Sequence, residues 1–91
     1  MKKVFNDIFI KNFPRLDLHG FDRDSARVEL EDFILDNIKL GNEKVVVIHG
    51  IGMNIVRNEV HETLHRNKYV VEYNMQSLNP GCTIVTLKIE N

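Results

Sequence analysis

The sequence predicts an α/β protein, a class in which strands and helices alternate along the chain. Residues 44–48, Lys-Val-Val-Val-Ile, are a continuous β-branched run of the kind that forms a strand buried on both faces. On either side of this run, apolar residues recur at spacings of three and four, the period of an amphipathic helix. Short apolar runs near both ends complete the order β-α-β-α-β-β. Each β-α-β unit should then have parallel strands and a right-handed crossover.

Residues 1–14 permit two interpretations. The spacing of Phe5, Ile8 and Phe9 suits a short amphipathic helix, and an extended arm laid over the core accounts for these residues equally well. An isolated apolar arm can also bind a partner, but we expect packing against the core. The domain itself is predicted to comprise residues 15–91.

Strand one is predicted at 15–19, and a long helix follows it. Asp22 is a suitable N-cap because its carboxylate can accept unpaired N–H groups of the first turn. Gly41 stands where a helix commonly ends in a left-handed glycine. Between these two residues, one helical face carries Ala26, Leu30, Phe33, Ile34 and Ile38.

The second half of the chain contains a helix and two further strands. Asn54 is the predicted cap of the second helix, in which an apolar stripe has a spacing of four. The stripe consists of Val56, Val60 and Leu64. Residues 69–75 and 82–89 are predicted strands, and the Asn-Pro-Gly sequence at 79–81 is the turn between them.

The composition limits the functional classes. No apolar run is long enough to span a membrane and no signal-peptide pattern is present, so we expect a cytoplasmic globular domain. Cys82 is the single cysteine, which excludes an intramolecular disulfide and suits a reducing compartment. The net charge is -1, whereas proteins that hold nucleic acid by bulk charge are clearly basic. Any nucleic-acid binding should therefore be weak, sensitive to salt and dependent on a local patch.

Polar residues and glycines cluster where strands one and two end. Asp17 and His19 close strand one, and His-Gly-Ile-Gly at 49–52 follows strand two. Parallel strands would bring both clusters to the same edge of the sheet, where open α/β sheets place their binding sites. We therefore expect the two clusters to form one site.

Asp17 and His19 permit two interpretations. A carboxylate that orients a histidine makes an acid/base pair that works near neutral pH. Alternatively, Asp17 caps local backbone N–H groups and His19 is merely hydrogen-bonded at the strand end. Considered alone, the pair favours the structural interpretation. Its position beside the 49–52 loop favours a functional site.

The glycine loop at 49–52 also permits two interpretations. Glycines before a helix let backbone N–H groups point at an anion, and the helix dipole adds to the attraction. Arg57, in the first turn of the helix, would then contact a phosphate. A tight strand-to-helix turn explains the same glycines without a ligand.

His61 and His65 have a spacing that can bind a metal ion, four residues apart on the second helix. No third ligand is evident near them in the sequence. They fall outside the apolar stripe of the helix, so we expect both on a solvated face.

Four stretches of the sequence resemble the Smr (small MutS-related) domain family. They are Leu-Asp-Leu-His-Gly at 16–20, Val-Val-Val-Ile-His-Gly-Ile-Gly at 45–52, the helix start at 56–57 and Gly-Cys-Thr-Ile-Val-Thr-Leu at 81–87. The similarity extends over residues 15–89, nearly the whole chain.

The resemblance implies an α+β two-layer sandwich. One mixed four-stranded sheet would carry both helices on one face, with strand four inserted antiparallel between strands two and three. Family members bind DNA or RNA, and several are nicking endonucleases or ribonucleases. Such domains end larger repair or ribosome-rescue proteins and also occur alone. The chain is therefore expected to be a stand-alone domain or an excised piece, with a repair or ribosomal protein as a further partner.

The resemblance also assigns the site. The family's Leu-Asp-x-His motif is implicated in cleavage and maps onto Leu16, Asp17 and His19. We expect His19 or His49 to act as general acid or base, with Asp17 orienting a histidine or a water. These residues neither require a divalent metal nor exclude one. The predicted catalytic residues are Asp17, His19 and His49, and the predicted nucleic-acid-binding residues are Gly50, Gly52, Asn54, Arg57 and Arg15.

The sequence departs from the family pattern at 53–54, at the closing turn 78–81 and, with the largest consequence, in the glycine loop. The family commonly has Lys between the two glycines, and this chain has Ile51. Loss of one charge-assisted contact of about 1.5–3 kcal/mol would weaken binding tenfold or more. Together with the net charge, Ile51 keeps a second hypothesis open, a non-catalytic module that binds nucleic acid or a protein partner.

Overall fold

The computed structural model describes residues 12–52, 54–76 and 79–90. The strands and helices follow the predicted order. Their bounds are β1 Arg15–Asp17, α1 Arg23–Leu40, β2 Lys44–Ile48, α2 Asn54–Arg66, β3 Val70–Met75 and β4 Cys82–Leu87. The choice between helix and arm for residues 1–14 concerns mostly residues 1–11, which lie outside the described part of the chain.

The four strands form one mixed sheet in the order β1-β2-β4-β3. β1 runs parallel to β2, and β4 runs antiparallel to both of its neighbours, β2 and β3. The prediction that strand four is inserted antiparallel between strands two and three is therefore confirmed. β2 lies inside the sheet with Val45, Val46 and Val47 all buried, as its β-branched run predicts.

Both helices pack on the same face of the sheet, which confirms the two-layer sandwich. The core between helices and sheet is made of side chains buried to at least nine-tenths. They are Leu18, Ala26, Leu30, Ile34, Val45, Val47, Val56, Val60, Leu64, Val85 and Leu87. The predicted stripe of α2 is buried in full. In the predicted stripe of α1, Ala26, Leu30 and Ile34 are buried, and Phe33 and Ile38 pack partly buried against this core.

A smaller apolar cluster covers the face of the sheet opposite the helices. Val46 and Cys82 are its buried members, and Phe13 packs against them. The carbonyl of Pro14 accepts a hydrogen bond from the Val46 amide at 2.9 Å, so the chain before β1 continues along β2. Of residues 1–14, the described part thus contributes Phe13 to the packing of this face.

Two strand ends differ from the prediction by two residues. β1 ends at Asp17 rather than residue 19, because the Asp17 carboxylate, and not a neighbouring strand, accepts the backbone N–H of His19. A turn closed by a bond from the Phe21 amide to the Leu18 carbonyl follows at once. β4 ends at Leu87 rather than residue 89. Differences of one or two residues at the ends of elements are common.

The ends of α1 are those that the sequence predicts. Asp22 Oδ1 accepts the Ser25 amide at 2.8 Å, and Gly41 adopts a left-handed conformation with φ of 76°. Asn54 is the first residue of α2, and the residue before it lies outside the described part of the chain. Within the described residues, neither helix is long and apolar enough to cross a membrane.

Candidate functional site

The Asp17 carboxylate and the His19 imidazole form a hydrogen-bonded pair at the end of β1. Asp17 Oδ1 lies 2.6 Å from His19 Nδ1 and also accepts the His19 backbone N–H at 3.1 Å. Both bonds stabilise the charged carboxylate, and the side-chain bond is the main reason that the pKa of Asp17 lies below its usual range. One oxygen therefore serves both interpretations of the sequence, since it caps the backbone and orients the ring.

This pair leaves one ring nitrogen of His19 available. An ionised carboxylate can only accept, so in the neutral imidazole Nδ1 carries the hydrogen and Nε2 is the basic nitrogen. The His19 side chain is 71% exposed, so Nε2 is open to a substrate. A histidine held in one tautomer by a carboxylate is the usual arrangement of a general base.

The loop after β2 touches this pair through Gly50. A Cβ on Gly50 would lie 3.3 Å from the Cβ of His19, and Gly50 has a φ of +88° that other residues rarely adopt. Glycine is therefore needed both for the turn and for the close approach. The sequence-based expectation that the ends of β1 and β2 meet at one edge agrees with this contact.

The expected anion cradle is not made by the first half of the loop. The carbonyl of Gly81 accepts the amides of His49 at 2.9 Å and Gly50 at 3.0 Å, so both N–H groups are occupied within the protein. In the described part of the chain, the amides of Ile51 and Gly52 have no such partner. A phosphate at this loop would have to use those two amides at the start of α2.

His49 is placed inside the protein rather than at the surface. Its ring is 3% exposed, with Nδ1 3.1 Å from the Gly50 carbonyl and Nε2 2.8 Å from Thr83 Oγ1. A carbonyl only accepts, so Nδ1 donates to Gly50 and Nε2 must accept from the Thr83 hydroxyl. His49 supports the loop that carries Gly50, whereas His19 faces solvent.

The prediction that His61 lies on a solvated face is wrong. His61 is half-buried, and its Nε2 lies 3.0 Å from Thr83 Oγ1 on β4. Its ring packs against Tyr73 with 5.4 Å between centroids. Because the Thr83 hydroxyl donates to His49, its oxygen accepts from His61, and one directed chain of bonds links α2, β4 and the loop. His65 is exposed, as expected.

Burial lowers the pKa of both His49 and His61 below the ordinary value for histidine. The positive charge of Arg57 acts in the same direction on both rings, so this guanidinium lies near them on the helix side of the sheet. Both shifts favour the neutral imidazole, and the directed bonds require it for His49, whose Nε2 must accept from the Thr83 hydroxyl.

Arg15 is placed away from Arg57. Arg15 and Asp17 are in register with Val46 and Ile48, on the face of the sheet opposite the helices. Both charges act on the neighbouring Cys82, whose pKa is raised chiefly by burial. The two arginines predicted to bind nucleic acid thus lie on opposite sides of the sheet, with the strand ends between them.

A cleft of about 690 Å³ opens between the Asp17–His19 end of β1 and the start of α2. Its polar lining includes His19, Asp22 and Arg23. Its apolar lining consists of Phe21, Ile48, Ile51, Ile55 and Val56. Nothing in the sequence spacing indicates this mainly apolar character, since Phe21 and Ile55 come from segments 34 positions apart in the numbering.

Three contributors to the site were missed by sequence reasoning. Thr83 and His61 complete the bond chain to His49, and the carbonyl of Gly81 holds the loop. Each acts through a contact between distant segments. The contacts of Thr83 and Gly81 depend on the register of β4 against β2, and that of His61 depends on how α2 packs on the sheet. Within residues 12–52, 54–76 and 79–90, no group of three or more His, Cys, Asp or Glu side chains could hold a metal ion.

Comparison with solved structures gives two close matches in fold. The Smr domain of Thermus thermophilus MutS2 superposes with a TM-score of 0.79 and 26% identity, covering 81% of this chain and 96% of that one. YdaL, a stand-alone small MutS-related protein from Escherichia coli, superposes with a TM-score of 0.75 and 26% identity. The superposition covers 81% of this chain and 63% of that one.

Curated sequences and family models match the same kind of domain as the solved structures. Endonuclease MutS2 of Streptococcus suis is 42% identical over 78 residues, and that of Streptococcus mutans is 44% identical over 78 residues. Each alignment covers 81% of this chain and 10% of the relative, so the chain spans about a tenth of their length. The Smr domain model matches residues 16–88. The chain belongs to the Smr domain family.

Proposed function

We propose that this domain binds nucleic acid and cleaves a phosphodiester bond at the Asp17–His19 pair. The observation that carries the proposal is the 2.6 Å contact between Asp17 Oδ1 and His19 Nδ1, which leaves a basic Nε2 exposed beside the cleft. The relatives that match are named endonuclease MutS2, which supports the same chemistry.

The chemistry proposed for the pair is general acid–base catalysis. His19 Nε2 takes a proton from the attacking oxygen, of water or of a hydroxyl of the substrate, as that oxygen bonds to phosphorus. The bond from phosphorus to the leaving oxygen breaks, and the leaving oxygen receives a proton from the imidazolium or from water. Asp17 keeps the ring in the correct tautomer and stabilises the positive charge that develops on it.

The remaining predicted residues have supporting roles in this proposal. The amides of Ile51 and Gly52 and the side chain of Asn54 lie where α2 begins and are the candidate contacts to phosphate. Arg57, on the first turns of α2, supplies a positive charge. His49 is a positioning residue, because its side chain is bonded to Gly50 and Thr83. The residues to which these roles are assigned neither require a divalent metal ion nor exclude one.

A non-catalytic module is the second candidate, and the observation that favours it is Ile51. The Ile51 side chain is exposed at the mouth of the cleft, where a lysine would attract phosphate. In that case the domain would bind nucleic acid, or a repair or ribosomal protein, without cutting.

The test is cleavage of supercoiled DNA and of single-stranded RNA by the purified chain. Asp17→Asn and His19→Ala should each lower the rate by about 100-fold or more, while circular dichroism and thermal unfolding stay close to wild type. His65→Ala is the matched control, because His65 is an exposed histidine outside the cleft. Rates for Asp17→Asn and His19→Ala equal to that of His65→Ala would contradict the proposal. Binding without any cleavage by the wild type would favour the non-catalytic module.

A further inference from the structure

Three large apolar side chains stand exposed around the mouth of the cleft. Phe21 is 39% exposed, Ile51 70% and Ile55 51%. They come from three separate segments, which are the turn after β1, the loop after β2 and the first turn of α2. Single exposed apolar residues are ordinary, but a group that lines one cleft marks a surface that something covers. We call these three residues the apolar rim.

The cleft behind the apolar rim has the form of a ligand site. Its volume of about 690 Å³ lies within the usual range of small-molecule sites, about 300–1,000 Å³. Ile48 and Val56 add to its apolar walls, and the ring of His49 also contributes. His19, the proposed catalytic residue, lines the same cleft.

The charges around the cleft do not suit the backbone of a duplex. Arg23 Nε lies 3.4 Å from the buried carboxylate of Glu59, so this cation is already paired, and Asp22 in the cleft lining is negative. The chain as a whole carries a net charge of -1. A duplex is held mainly through its phosphates and needs a surplus of positive charge, which this opening lacks. An apolar rim with one aromatic ring suits the flat face of a base, which stacks without regard to charge.

We propose that the cleft receives one unpaired nucleobase next to the bond that His19 attacks, so that the substrate is single-stranded or locally unpaired nucleic acid. Bases in an intact duplex are stacked inside and cannot present a face to Phe21. This inference rests on the proposed function, because His19 at the edge of the cleft fixes where the phosphate lies. It also gives Ile51 a role, since stacking contact replaces the charge that the loop lacks.

The test uses a ten-nucleotide strand that contains 2-aminopurine, whose fluorescence is quenched when it stacks on an aromatic ring. The full chain is titrated with the strand in its DNA and RNA forms and with the matching duplexes. The single strand of at least one sugar type should bind roughly tenfold more tightly than its duplex and be quenched. Phe21→Leu should keep much of the affinity and lose the quenching, because it retains apolar volume without the ring.

A matched pair of substitutions isolates the apolar rim. Ile51→Ser should weaken single-strand binding by about fivefold or more. Leu40→Ser, at a residue that is 73% exposed at the end of α1, should leave binding unchanged. The slope of log affinity against log salt should be the same in Ile51→Ser as in the wild type, because no phosphate contact is removed.

Several results would overturn the inference. Equal affinity for single strand and duplex would do so, as would equal effects of Ile51→Ser and Leu40→Ser. A self-association that sedimentation detects in the wild type and not in Ile51→Ser would assign the apolar rim to a second copy of the chain. The cleavage assay separates this failure from that of the proposed function. Loss of cleavage in Asp17→Asn with unchanged binding by Ile51→Ser rejects only the base cleft.

Discussion

Thr83 Oγ1 lies 2.8 Å from His49 Nε2, and this contact connects the sheet to the loop that touches His19. The same oxygen is 3.0 Å from His61 Nε2, so one hydroxyl bonds two imidazoles. Its single hydrogen goes to His49 and its lone pairs face His61, which fixes the tautomer of both rings. The conformation of Gly50 is thereby tied to a buried network rather than to the loop sequence alone.

Thr83→Val should destabilise the protein more than the same change at Thr86. Valine matches the shape of threonine but leaves both His49 Nε2 and His61 Nε2 without their partner, and His49 is buried. An unsatisfied buried group costs about 1–3 kcal/mol, so we expect the free energy of unfolding to fall by about 2 kcal/mol. Urea unfolding measures it.

Thr86→Val is the control on the same strand. Thr86 Oγ1 accepts a bond from Lys44 Nζ at 2.6 Å in a half-buried setting, where water can replace it. Its loss should cost less than about 1 kcal/mol. Equal losses for Thr83→Val and Thr86→Val would mean that the two imidazoles find other partners, and the network would not hold the loop.

The free energy of unfolding should fall as the pH drops from 7.5 to 5.0. The pKa values of His49 and His61 are lowered in the folded state, mainly by burial. Below about pH 6.5 the unfolded chain binds protons that the folded chain does not, so the folded state loses stability. The stability is fully present above the unfolded pKa and is lost as the pH falls through the folded values.

His61→Gln tests whether these rings cause the pH dependence. Glutamine keeps an N–H for Thr83 and does not titrate, so the fall in stability between pH 7.5 and 5.0 should become smaller. Titration of Asp17 and Asp22 does not contribute to this fall in stability. Their pKa values are lowered in the folded protein, so they change the free energy of unfolding only at more acidic pH. An identical pH dependence in the wild type and in His61→Gln would contradict this assignment.

Local signals were sufficient to predict the elements of the fold. The β-branched run 44–48 marked the buried strand, and Asp22 and Gly41 marked the ends of α1, because each of these effects acts within a few residues. The position of strand four in the sheet cannot be predicted from local signals. Its insertion between strands two and three rests on the family resemblance, since nothing local to residues 82–89 specifies which strands they join.

The location of the candidate site could be predicted from the sequence, but its hydrogen-bond network could not. Asp17 and His19 are two residues apart, so their contact follows from the chain itself. The bond from His61 to Thr83 joins residues 22 apart on different elements, and it depends on how α2 rotates against the sheet. The helical pattern indicates only that His61 lies outside the apolar stripe, and a position outside the stripe can still be half-buried against Tyr73 and Thr83.

Removing both arginines that face Glu59 should cost more than the sum of the single changes. Glu59 is buried in α2, with Arg23 Nε at 3.4 Å and Arg66 Nη2 at 3.8 Å. Arg23→Ala or Arg66→Ala alone should cost less than about 1 kcal/mol, because the other cation remains and each arginine is largely exposed. The double variant leaves a buried charge without a cation, which is strongly unfavourable.

An exposed ion pair supplies the reference for this coupling. Arg27 pairs with Asp24, whose side chain is 83% exposed, at 3.2 Å. Arg23→Ala combined with Arg27→Ala should therefore be additive in the free energy of unfolding. Additive behaviour of Arg23→Ala with Arg66→Ala as well would show that Glu59 does not couple the two cations.

Three glycine-to-alanine changes separate backbone strain from contact at the site. Gly41→Ala measures strain alone, about 1–2 kcal/mol, because Gly41 has a φ of +76° and open space around it. Gly52→Ala should have little effect, since Gly52 lacks a positive φ and has nothing near its Cβ position. Gly50→Ala should lower the free energy of unfolding, measured with urea, by more than Gly41→Ala does. Gly50 has a φ of +88°, and a Cβ there would also lie 3.3 Å from the Cβ of His19. Gly50→Ala should also lower nucleic-acid cleavage, because His19 must move, whereas Gly41→Ala should not. Equal results for Gly50→Ala and Gly41→Ala in both assays would show that the loop does not position His19.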